Sequence, residues 1–249
     1  MSFSAEWLAL RAPADDAARD KGLEVRLLDW AGTRPLRIAD IGGGSGAALR
    51  VLGGRLPNAS WRVYDNDAAL LSLIPESPTV ETATLDLNAD IDAVFDAKPD
   101  LITAFAFLDL VSEVWLARFV QRLSESGAAL YAPLTYDGRE VWRPEPPHEA
   151  EALAALHADM SKDKGFGPAL GPKAPDTLRN LLTKAPFHLH EAQSDWRVAP
   201  GRLLAELANG SAEAIRPRMA QHKYEEWKSA RLKATSALIG HRDALALSR

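Results

Sequence analysis

The first half of the chain alternates short apolar runs with segments of helical periodicity. Five runs have the length of buried β-strands: residues 36–41, 61–64, 80–87, 99–107 and 127–136. The segments between them favour helices at residues 47–55, 68–73 and 113–123. Strands that alternate with helices form parallel sheets covered on both faces. The pattern therefore predicts a doubly wound α/β core.

The two ends of the chain and the stretch after the fifth run have other patterns. Residues 4–10 predict a short helix that breaks near Pro13, and residues 14–30 predict a second helix, which makes residues 1–34 an N-terminal helical arm. Residues 137–175 are interpreted as an insertion, with a helix from Pro146 to about Met160 and then a segment rich in glycine and proline. Further helices are expected at 176–185, 200–209 and 211–232. Two late strands are expected at 187–198 and 236–247, the second one bulged at Gly240.

Length and composition favour one domain. The chain has 249 residues, of which 47% are hydrophobic, enough for a single α/β core. It contains no cysteine, which excludes disulfides, zinc–thiolate sites and cysteine nucleophiles. We expect one domain with an arm (1–34), a core (35–136), an insertion or lid (137–175) and a C-terminal part (176–249) that completes the sheet.

Charge and hydropathy favour a cytoplasmic protein that binds neither membranes nor nucleic acid. The formal net charge is −5, so no global basic field attracts nucleic acid. Residues 216–249 hold eight basic and three acidic residues, but no glycine–aromatic stacking motif accompanies them, which favours a solvated helix face. The first residues lack the pattern of a signal peptide, and no apolar run has membrane-spanning length. The sequence gives no signal of oligomeric state.

A glycine cluster follows the first strand, in the stretch LRIADIGGGSGAALRVL at residues 36–52. It contains Gly42, Gly43, Gly44 and Gly46. Glycine permits positive φ and lets a ligand lie directly against the backbone. The free N–H groups of the following helical turn favour an electron-rich or anionic group. The stretch therefore predicts a nucleotide-binding loop between a strand and a helix.

Two acidic residues mark the ends of the first two strands. Asp40 lies two residues before the glycines, and Asp65 ends the run WRVYD, where an acid can hold both ribose hydroxyls. The spacing from Gly42 to Ala47 loosely matches the dinucleotide fingerprint, so a nicotinamide oxidoreductase is a distant alternative. IADIGGGSG resembles the first motif, and VYDND the second motif, of the class I S-adenosylmethionine-dependent methyltransferases.

The resemblance implies S-adenosyl-L-methionine as the cofactor and assigns roles to the residues around it. Asp40 would help to hold the methionine end, the four glycines would line the cofactor, and Asp65 would bind the ribose. The adenine contact is expected at Asp86, or at Leu87 through its backbone. The predicted cofactor set further includes Asn66 and Phe105. A metal site at residues 65–67 is the less favoured interpretation, and no metal is expected.

The resemblance also implies the overall plan of the chain. The family fold closes with an antiparallel strand inserted beside the sixth, and the two late strands fit a mostly parallel, seven-stranded sheet of this kind. An N-terminal arm would close over the cofactor, and its Arg11, Asp15 and Arg19 either point into the site or lie on a solvated helix face. The motif Asn-Pro-Pro-Tyr is absent from residues 104–107, which argues against methylation of adenine N6 or glutamine.

On the acceptor side the candidate catalytic residues are chosen for their chemistry near the expected strand ends. They are Asp109, Tyr136, His157 and Lys164, with Trp142 and Trp196 as possible stacking walls. Asp109 is equally well explained as a helix cap, and His157 as a packing residue. Because long irregular loops in compact domains are often functional, the segment 161–175 is expected to be a docked lid. Lys164 within it would grip an acidic group of the substrate.

The sequence therefore predicts methyl transfer from S-adenosylmethionine to the oxygen or nitrogen of a small molecule held under a lid. An activated methyl group leaves the protein to align the acceptor, exclude water and accept a proton. Methyl transfer to RNA or protein remains an alternative. A catalytically idle cofactor-binding or interaction module is another.

Overall fold

The computed structural model describes residues 3–248, and its centre is one mixed β-sheet. Within these residues eight strands are present: β1 (Arg37–Ile41), β2 (Ser60–Asp65), β3 (Val80–Thr84), β4 (Leu101–Thr103), β5 (Ala129–Arg143), β6 (Phe187–Gln193), β7 (Trp196–Val198) and β8 (Ser236–Ser248). Their order is β3-β2-β1-β4-β5-β8-β6, and β7 also pairs with β8. The pairs among β1 to β5 are parallel, whereas β8 is antiparallel to β5, β6 and β7.

The predicted doubly wound sheet with an antiparallel closing strand is confirmed, and its strand number is corrected from seven to eight. The single strand expected at 187–198 is interrupted, because β6 and β7 pair with different parts of β8. Strand β5 is also longer than expected. It continues to Arg143 alongside β8 through two register shifts, so residues 137–143 belong to the sheet and not to an insertion.

Ten helices of four or more residues accompany the sheet within residues 3–248. They are α1 (Ala5–Ala18), α2 (Lys21–Ala31), α3 (Ala47–Leu52), α4 (Ala68–Leu71), α5 (Asp92–Asp96), α6 (Glu113–Ser126), α7 (Glu149–Met160), α8 (Ala174–Leu182), α9 (Arg202–Ile215) and α10 (Gln221–Arg231). Helix α1 runs through Pro13, so the break expected there is wrong. The chain turns instead at Asp20, whose side chain caps α2 by accepting from Leu23 N at 2.8 Å.

Helices cover both faces of the sheet and bury its apolar side chains. On one face Leu116 and Phe119 of α6 pack with Ile102 of β4. On the other face Leu27 of α2 and Leu52 of α3 pack with β1 and β4. Side chains buried on both faces explain why the parallel strands are continuous apolar runs. The carboxyl ends of β1, β2 and β4 are left facing the arm, and the site is built there.

The segment after α7 is folded against the core. We call residues 161–170 the flap. Its end is fixed by a bridge between Ser112 and Ala169 and by the Leu170 N–H, which donates to Val111 O at 2.8 Å. The Phe166 ring meets the rings of Phe107 and Trp115 edge-on. The flap is therefore docked, as the sequence predicts. No helix in residues 3–248 is long and apolar enough to cross a bilayer.

Candidate functional site

A cavity of about 730 Å³ lies at the carboxyl ends of β1, β2 and β4. Helix α1 forms one wall, the loop between β1 and α3 forms the floor, and the flap contributes Lys164 and Phe166. Pockets for small ligands commonly measure roughly 300–1,000 Å³. Ligands of open α/β sheets bind at this edge because the strand ends and helix N-termini meet there. The cavity therefore has the place and the size of a small-molecule site.

The glycines of the loop have two different tasks. Gly42 has φ of +61°, and a Cβ there would lie 2.4 Å from the Phe107 ring, so this glycine allows close packing. A Cβ on Gly43 would lie 2.4 Å from Val63. Gly44 (φ +52°) has more open surroundings, since a Cβ there would meet only Leu8 at 3.4 Å, Leu70 at 3.8 Å and Asp65 at 4.0 Å. Gly44 is thus the loop position best placed to have a ligand against its backbone.

Asp40 is completely buried at the end of β1. Its Oδ1 accepts from the Thr103 hydroxyl at 2.7 Å, and its Oδ2 has no hydrogen-bond partner among the described residues. Burial raises the pKa of this carboxyl to about 7, and the neighbouring charge of Asp65 adds to the shift. A buried polar atom without a partner is costly. Asp40 is therefore suited to a ligand that donates a hydrogen bond.

Asp65 ends β2 and lies across the loop from Asp40. Its Oδ2 accepts from Gly44 N at 2.8 Å, and its Oδ1 accepts from Asp67 N at 2.9 Å. Each carboxylate oxygen has a second acceptor site, so ribose hydroxyls can still donate to it. Asn66 also lines the cavity, and Asp67 caps α4. This geometry is compatible with ligand binding by Asp65 and helix capping by Asp67.

The residues expected near the adenine are placed differently. Asp86 is exposed, does not line the cavity, and accepts from Asn88 N at 2.9 Å in the turn after β3. Leu87 does line the cavity, and its carbonyl accepts from Trp115 Nε1 at 2.9 Å. Phe105 also lines the cavity. The alternative position, Leu87, therefore fits the geometry better than Asp86.

Two cavity residues have strained backbones that sequence reasoning missed. Ala106 has φ of +47° and Leu134 has φ of +62°, a conformation that residues other than glycine seldom adopt. The Ala106 N–H donates to Pro133 O at 3.0 Å, and the Leu134 N–H donates to the buried Asp243 carboxylate at 2.8 Å. Such strain is concentrated at functional sites. The sequence does not reveal this strain, because positive φ is normally predicted from glycine and neither position is a glycine.

The helical arm contributes charged groups to the cavity, as one of the two sequence readings expects. Arg11, Asp15 and Arg19 all line it. Arg11 Nε is 3.0 Å from Asp15 Oδ2, and Trp196 Nε1 donates to Asp15 Oδ1 at 3.1 Å. Burial raises the pKa of Asp15. Arg19 is buried and its Nε lies 3.1 Å from Glu24. These pairs join the arm to β7 and α2 over the site.

Two acceptor-side candidates lie at or near the cavity. Lys164 lines it from the flap. Asp109 is half-buried in the turn after β4 and is not a lining residue. Burial raises the pKa of Asp109 to about 6, and the positive charges of Arg11 and Lys164 partly oppose the shift. Asp109 therefore lies within electrostatic range of Arg11 and Lys164, although it forms an ion pair with neither.

The remaining acceptor-side candidates, Tyr136 and His157, do not line this cavity. The Tyr136 hydroxyl lies 3.1 Å from His157 Nε2 and donates to Glu140 at 3.2 Å, away from the lining. The register shift in β5 between Tyr136 and Glu140 accompanies this arrangement. Trp142 Nε1 donates to Glu140 at 2.8 Å, so Trp142 belongs to the same cluster. Trp196 does not line the cavity but contacts two residues that do: its Nε1 donates to Asp15, and the Arg11 guanidinium lies 5.2 Å from its ring centroid.

Metal-ligating side chains are not gathered at this site. In residues 3–248 no group of three or more histidine and acidic side chains could hold a metal ion. Asp65 and Asp67 accept hydrogen bonds from backbone N–H groups instead. The chemistry available in the cavity is that of carboxylates, cations, backbone N–H groups and apolar walls.

Comparisons with known proteins find similar structures but no family model and no curated protein of similar sequence. A cyclopropane-fatty-acyl-phospholipid synthase-like protein from Lactobacillus casei has a TM-score of 0.57 at 14% identity, over 95% of this chain and 90% of that one. A putative type II methyltransferase from Anaeromyxobacter dehalogenans has a TM-score of 0.54 at 17% identity, over 93% and 97%.

The plantazolicin methyltransferase BpumL, solved in complex with SAH (S-adenosylhomocysteine), also has this architecture. Its TM-score is 0.52 at 12% identity, over 98% of this chain and 88% of that one. Likeness at such low identity is evidence of fold. The chain has the fold of the class I S-adenosylmethionine-dependent methyltransferases.

Proposed function

We propose that the protein is a methyltransferase that uses S-adenosylmethionine and acts on the oxygen or nitrogen of a small molecule. One observation carries the proposal. A single cavity joins the glycine loop and two carboxylates at one side to a covered wall at the other, formed by α1 and the flap. Such a cavity has room for a cofactor beside an acceptor.

The donor-binding side fits an adenosyl compound that carries an amino acid. The unpartnered Oδ2 of Asp40 is free to accept a hydrogen bond from a donor group of the ligand. Asp65 is half-buried beside Gly44, where its carboxylate can hold ribose hydroxyls. Gly44 leaves space for the ligand against the backbone. The SAH complex of a methyltransferase with this fold supports the same ligand class here.

The protein has limited chemistry to perform. When bound, S-adenosylmethionine supplies a methyl group already activated by a sulfonium. The residues of this chain align the acceptor, exclude water and take its proton. Phe166 and the arm exclude water by covering the cavity. Asp109, which lies outside the lining in the turn after β4 and whose pKa is raised to about 6, is our candidate to accept a proton.

A small acceptor is favoured over a macromolecule by the covering of the site. The flap is docked through Phe166, and α1 lies over the glycine loop, so these two elements cover part of the cavity. The formal net charge of −5 does not favour RNA. Methyl transfer to RNA or protein is the second candidate, and it requires the flap to open.

Titration calorimetry tests the cofactor assignment. We expect S-adenosylhomocysteine to bind the wild type and NADH not to bind. The variant Gly44→Ala should weaken binding about tenfold or more, because its Cβ occupies the space next to Leu8 and Asp65. The matched control is Gly54→Ala, where a Cβ meets nothing within 4 Å and affinity should be unchanged. Binding of NADH, or equal affinity in both variants, contradicts the assignment.

A methyl-transfer screen tests the acceptor class. The wild type is incubated with a labelled methyl donor and, in separate arms, small-molecule extracts, total RNA and total protein. Label in the small-molecule arm supports the proposal. Label confined to RNA or protein overturns the small-molecule part and leaves the cofactor assignment standing.

A further inference from the structure

Lys164 differs from the other cations of the cavity in having no ion-pair partner within residues 3–248. Arg11 is paired with Asp15, Arg19 with Glu24, and Arg50 with Asp16, each within 3.1 Å. These four cations are the ones that line the cavity. The three arginines are therefore occupied in holding the arm, and the ammonium of Lys164 is available to a ligand.

The backbone around Lys164 is held firmly in place. Asp163 Oδ1 accepts from Gly165 N at 2.7 Å and from Gly167 N at 3.0 Å, which closes a tight loop around Lys164. Phe166, two residues further on, packs edge-on against both Phe107 and Trp115, with ring centroids 5.7 and 5.3 Å away. The flap thus presents one lysine to the cavity from a fixed position.

The surroundings of Lys164 favour an anionic partner. Its side chain is half-buried, and the lining of the same cavity includes the apolar side chains of Phe166, Leu110 and Leu134. An unpaired charge against apolar walls loses hydration without compensation. Asp109 is within electrostatic range but forms no ion pair with Lys164. A ligand anion restores the lost interaction through a charge-assisted hydrogen bond.

Resting on the proposed function, we propose that the acceptor is an acid with an apolar body, and that Lys164 binds its carboxylate or phosphate. The apolar lining encloses the body of the acceptor. Lys164 thereby selects charged acceptors over neutral ones and orients the acceptor from the flap side. When Asp109 is ionised, its negative charge opposes binding of the acid.

The experiment compares matched probes on protein saturated with S-adenosylhomocysteine. Octanoate, octyl phosphate and uncharged 1-octanol are titrated by calorimetry. We expect at least one acid to bind the wild type about tenfold or more tightly than 1-octanol. The carboxylate and phosphate arms identify which acid is preferred. Equal affinity for all three probes overturns the proposal.

Variants of the flap assign the preference to Lys164. Lys164→Met should abolish the preference, and Lys164→Arg should keep most of it. The matched control is Lys162→Met, because Lys162 is exposed and pairs with Asp159 at 2.6 Å. Asp109→Asn should strengthen binding of the acids but not of 1-octanol. A preference retained in Lys164→Met overturns the proposal.

The two proposals fail in different ways. If S-adenosylhomocysteine binds and Lys164→Met still prefers acids, only the role of Lys164 is lost. If S-adenosylhomocysteine does not bind the wild type, the proposed function is overturned, and the assignment of the acid as a methyl acceptor is overturned with it. Binding of S-adenosylhomocysteine to Lys164→Met also shows that this variant is folded.

Discussion

At the scale of single residues, the two carboxyls of the glycine loop are in opposite environments. Asp40 is fully buried with one oxygen unpartnered, and its pKa is raised to about 7. Asp65 is half-buried, and backbone N–H groups donate to both of its oxygens. Burial without partners disfavours the charged form, whereas N–H donors favour it. Near neutral pH, protonation of Asp40 is therefore sensitive to what binds beside it.

Asp40→Asn tests this difference through stability. The folded-state pKa of Asp40 lies above its unfolded value, so the folded protein binds the proton more tightly. The stability contributed by Asp40 is complete below about pH 4 and is lost as the pH rises to about 7, on the order of 4 kcal/mol in total. We expect the unfolding free energy of the wild type to fall relative to Asp40→Asn over this range, as measured by denaturant titration at several pH values.

The comparison isolates one carboxyl. The raised pKa values of Asp15, Asp109 and Asp243 affect both proteins alike. Parallel curves for wild type and Asp40→Asn from pH 4 to pH 8 contradict the raised pKa. The absolute stability of Asp40→Asn is a separate quantity, because its amide leaves a buried donor without a partner.

The candidate site residues at strand ends could be predicted from the sequence, whereas the positions of those that follow a turn or a bulge could not. Asp40 and Asp65 follow apolar runs directly, so their position at the sheet edge follows from strand direction. Asp86 lies two residues past β3, where the turn points it to Asn88 N. Tyr136 lies in β5 at a register shift, and its hydroxyl meets His157. The direction of a side chain past a turn or bulge depends on long-range pairing that a local pattern does not contain.

At the scale of elements, the flap is attached to the core by the ring of Phe166 in its middle and by the buried Leu170 at its end. Phe166 packs edge-on against Phe107 and Trp115, and the backbone is fixed where Leu170 N–H donates to Val111 O. The cavity wall and Lys164 are carried by the same segment. Loss of the aromatic contact should therefore loosen the wall without unfolding the sheet.

Phe166→Ala tests the attachment. Removing a half-buried ring should lower the unfolding free energy by about 2 kcal/mol. The Leu170 N–H should exchange with solvent faster, as measured by hydrogen exchange, because the flap opens more often. Val114→Ala on α6 is the control, since Val114 is 81% exposed and should change neither quantity. Unchanged exchange at Leu170 in Phe166→Ala contradicts the attachment.

Sequence patterns predict the helices and strands whose own residues show a clear pattern of apolar positions. Strands β1 and β4 and the first half of β5 are buried runs, and α6 has one buried face, so these elements are visible in the local sequence. Helix α5 has only five residues and was not predicted. The break expected at Pro13 fails because Ala14 and Ala18 of α1 pack against the core cluster around Trp196, which outweighs the missing N–H of proline. The extension of β5 to Arg143 depends on pairing with β8, about a hundred residues later.

At the scale of the whole molecule, a buried ionic network joins the C-terminal helices to the sheet. Arg231 of α10 lies 2.6 Å from Glu140 of β5 and also pairs with Glu149 of α7. The guanidinium lies 3.6 Å from the Trp142 ring, and Trp227 Nε1 donates to Glu149 at 2.7 Å. None of these side chains lines the cavity. The network is therefore structural, and its loss should affect stability and not ligand affinity.

Arg231→Met tests this separation. It leaves two buried carboxylates without their cation, which should cost about 3–5 kcal/mol of unfolding free energy. Below the midpoint of thermal unfolding, affinity for S-adenosylhomocysteine should equal that of the wild type. The control Arg202→Ala removes an exposed pair with Glu6 and should change stability little. A weakened affinity in folded Arg231→Met contradicts a purely structural role.

The left-handed backbones at Ala106 and Leu134 have a consequence for any selection that rewards heat resistance alone. Glycine relieves about 1–2 kcal/mol of strain at each position, less about 0.5–1 kcal/mol for its greater freedom in the unfolded chain. At Leu134 that gain is outweighed, because removing a fully enclosed leucine costs more. Ala106 is half-buried and has only a methyl group to lose. Selection for heat resistance would therefore favour glycine at position 106 but not at position 134. Loss of the Ala106 methyl group would widen the pocket on that side.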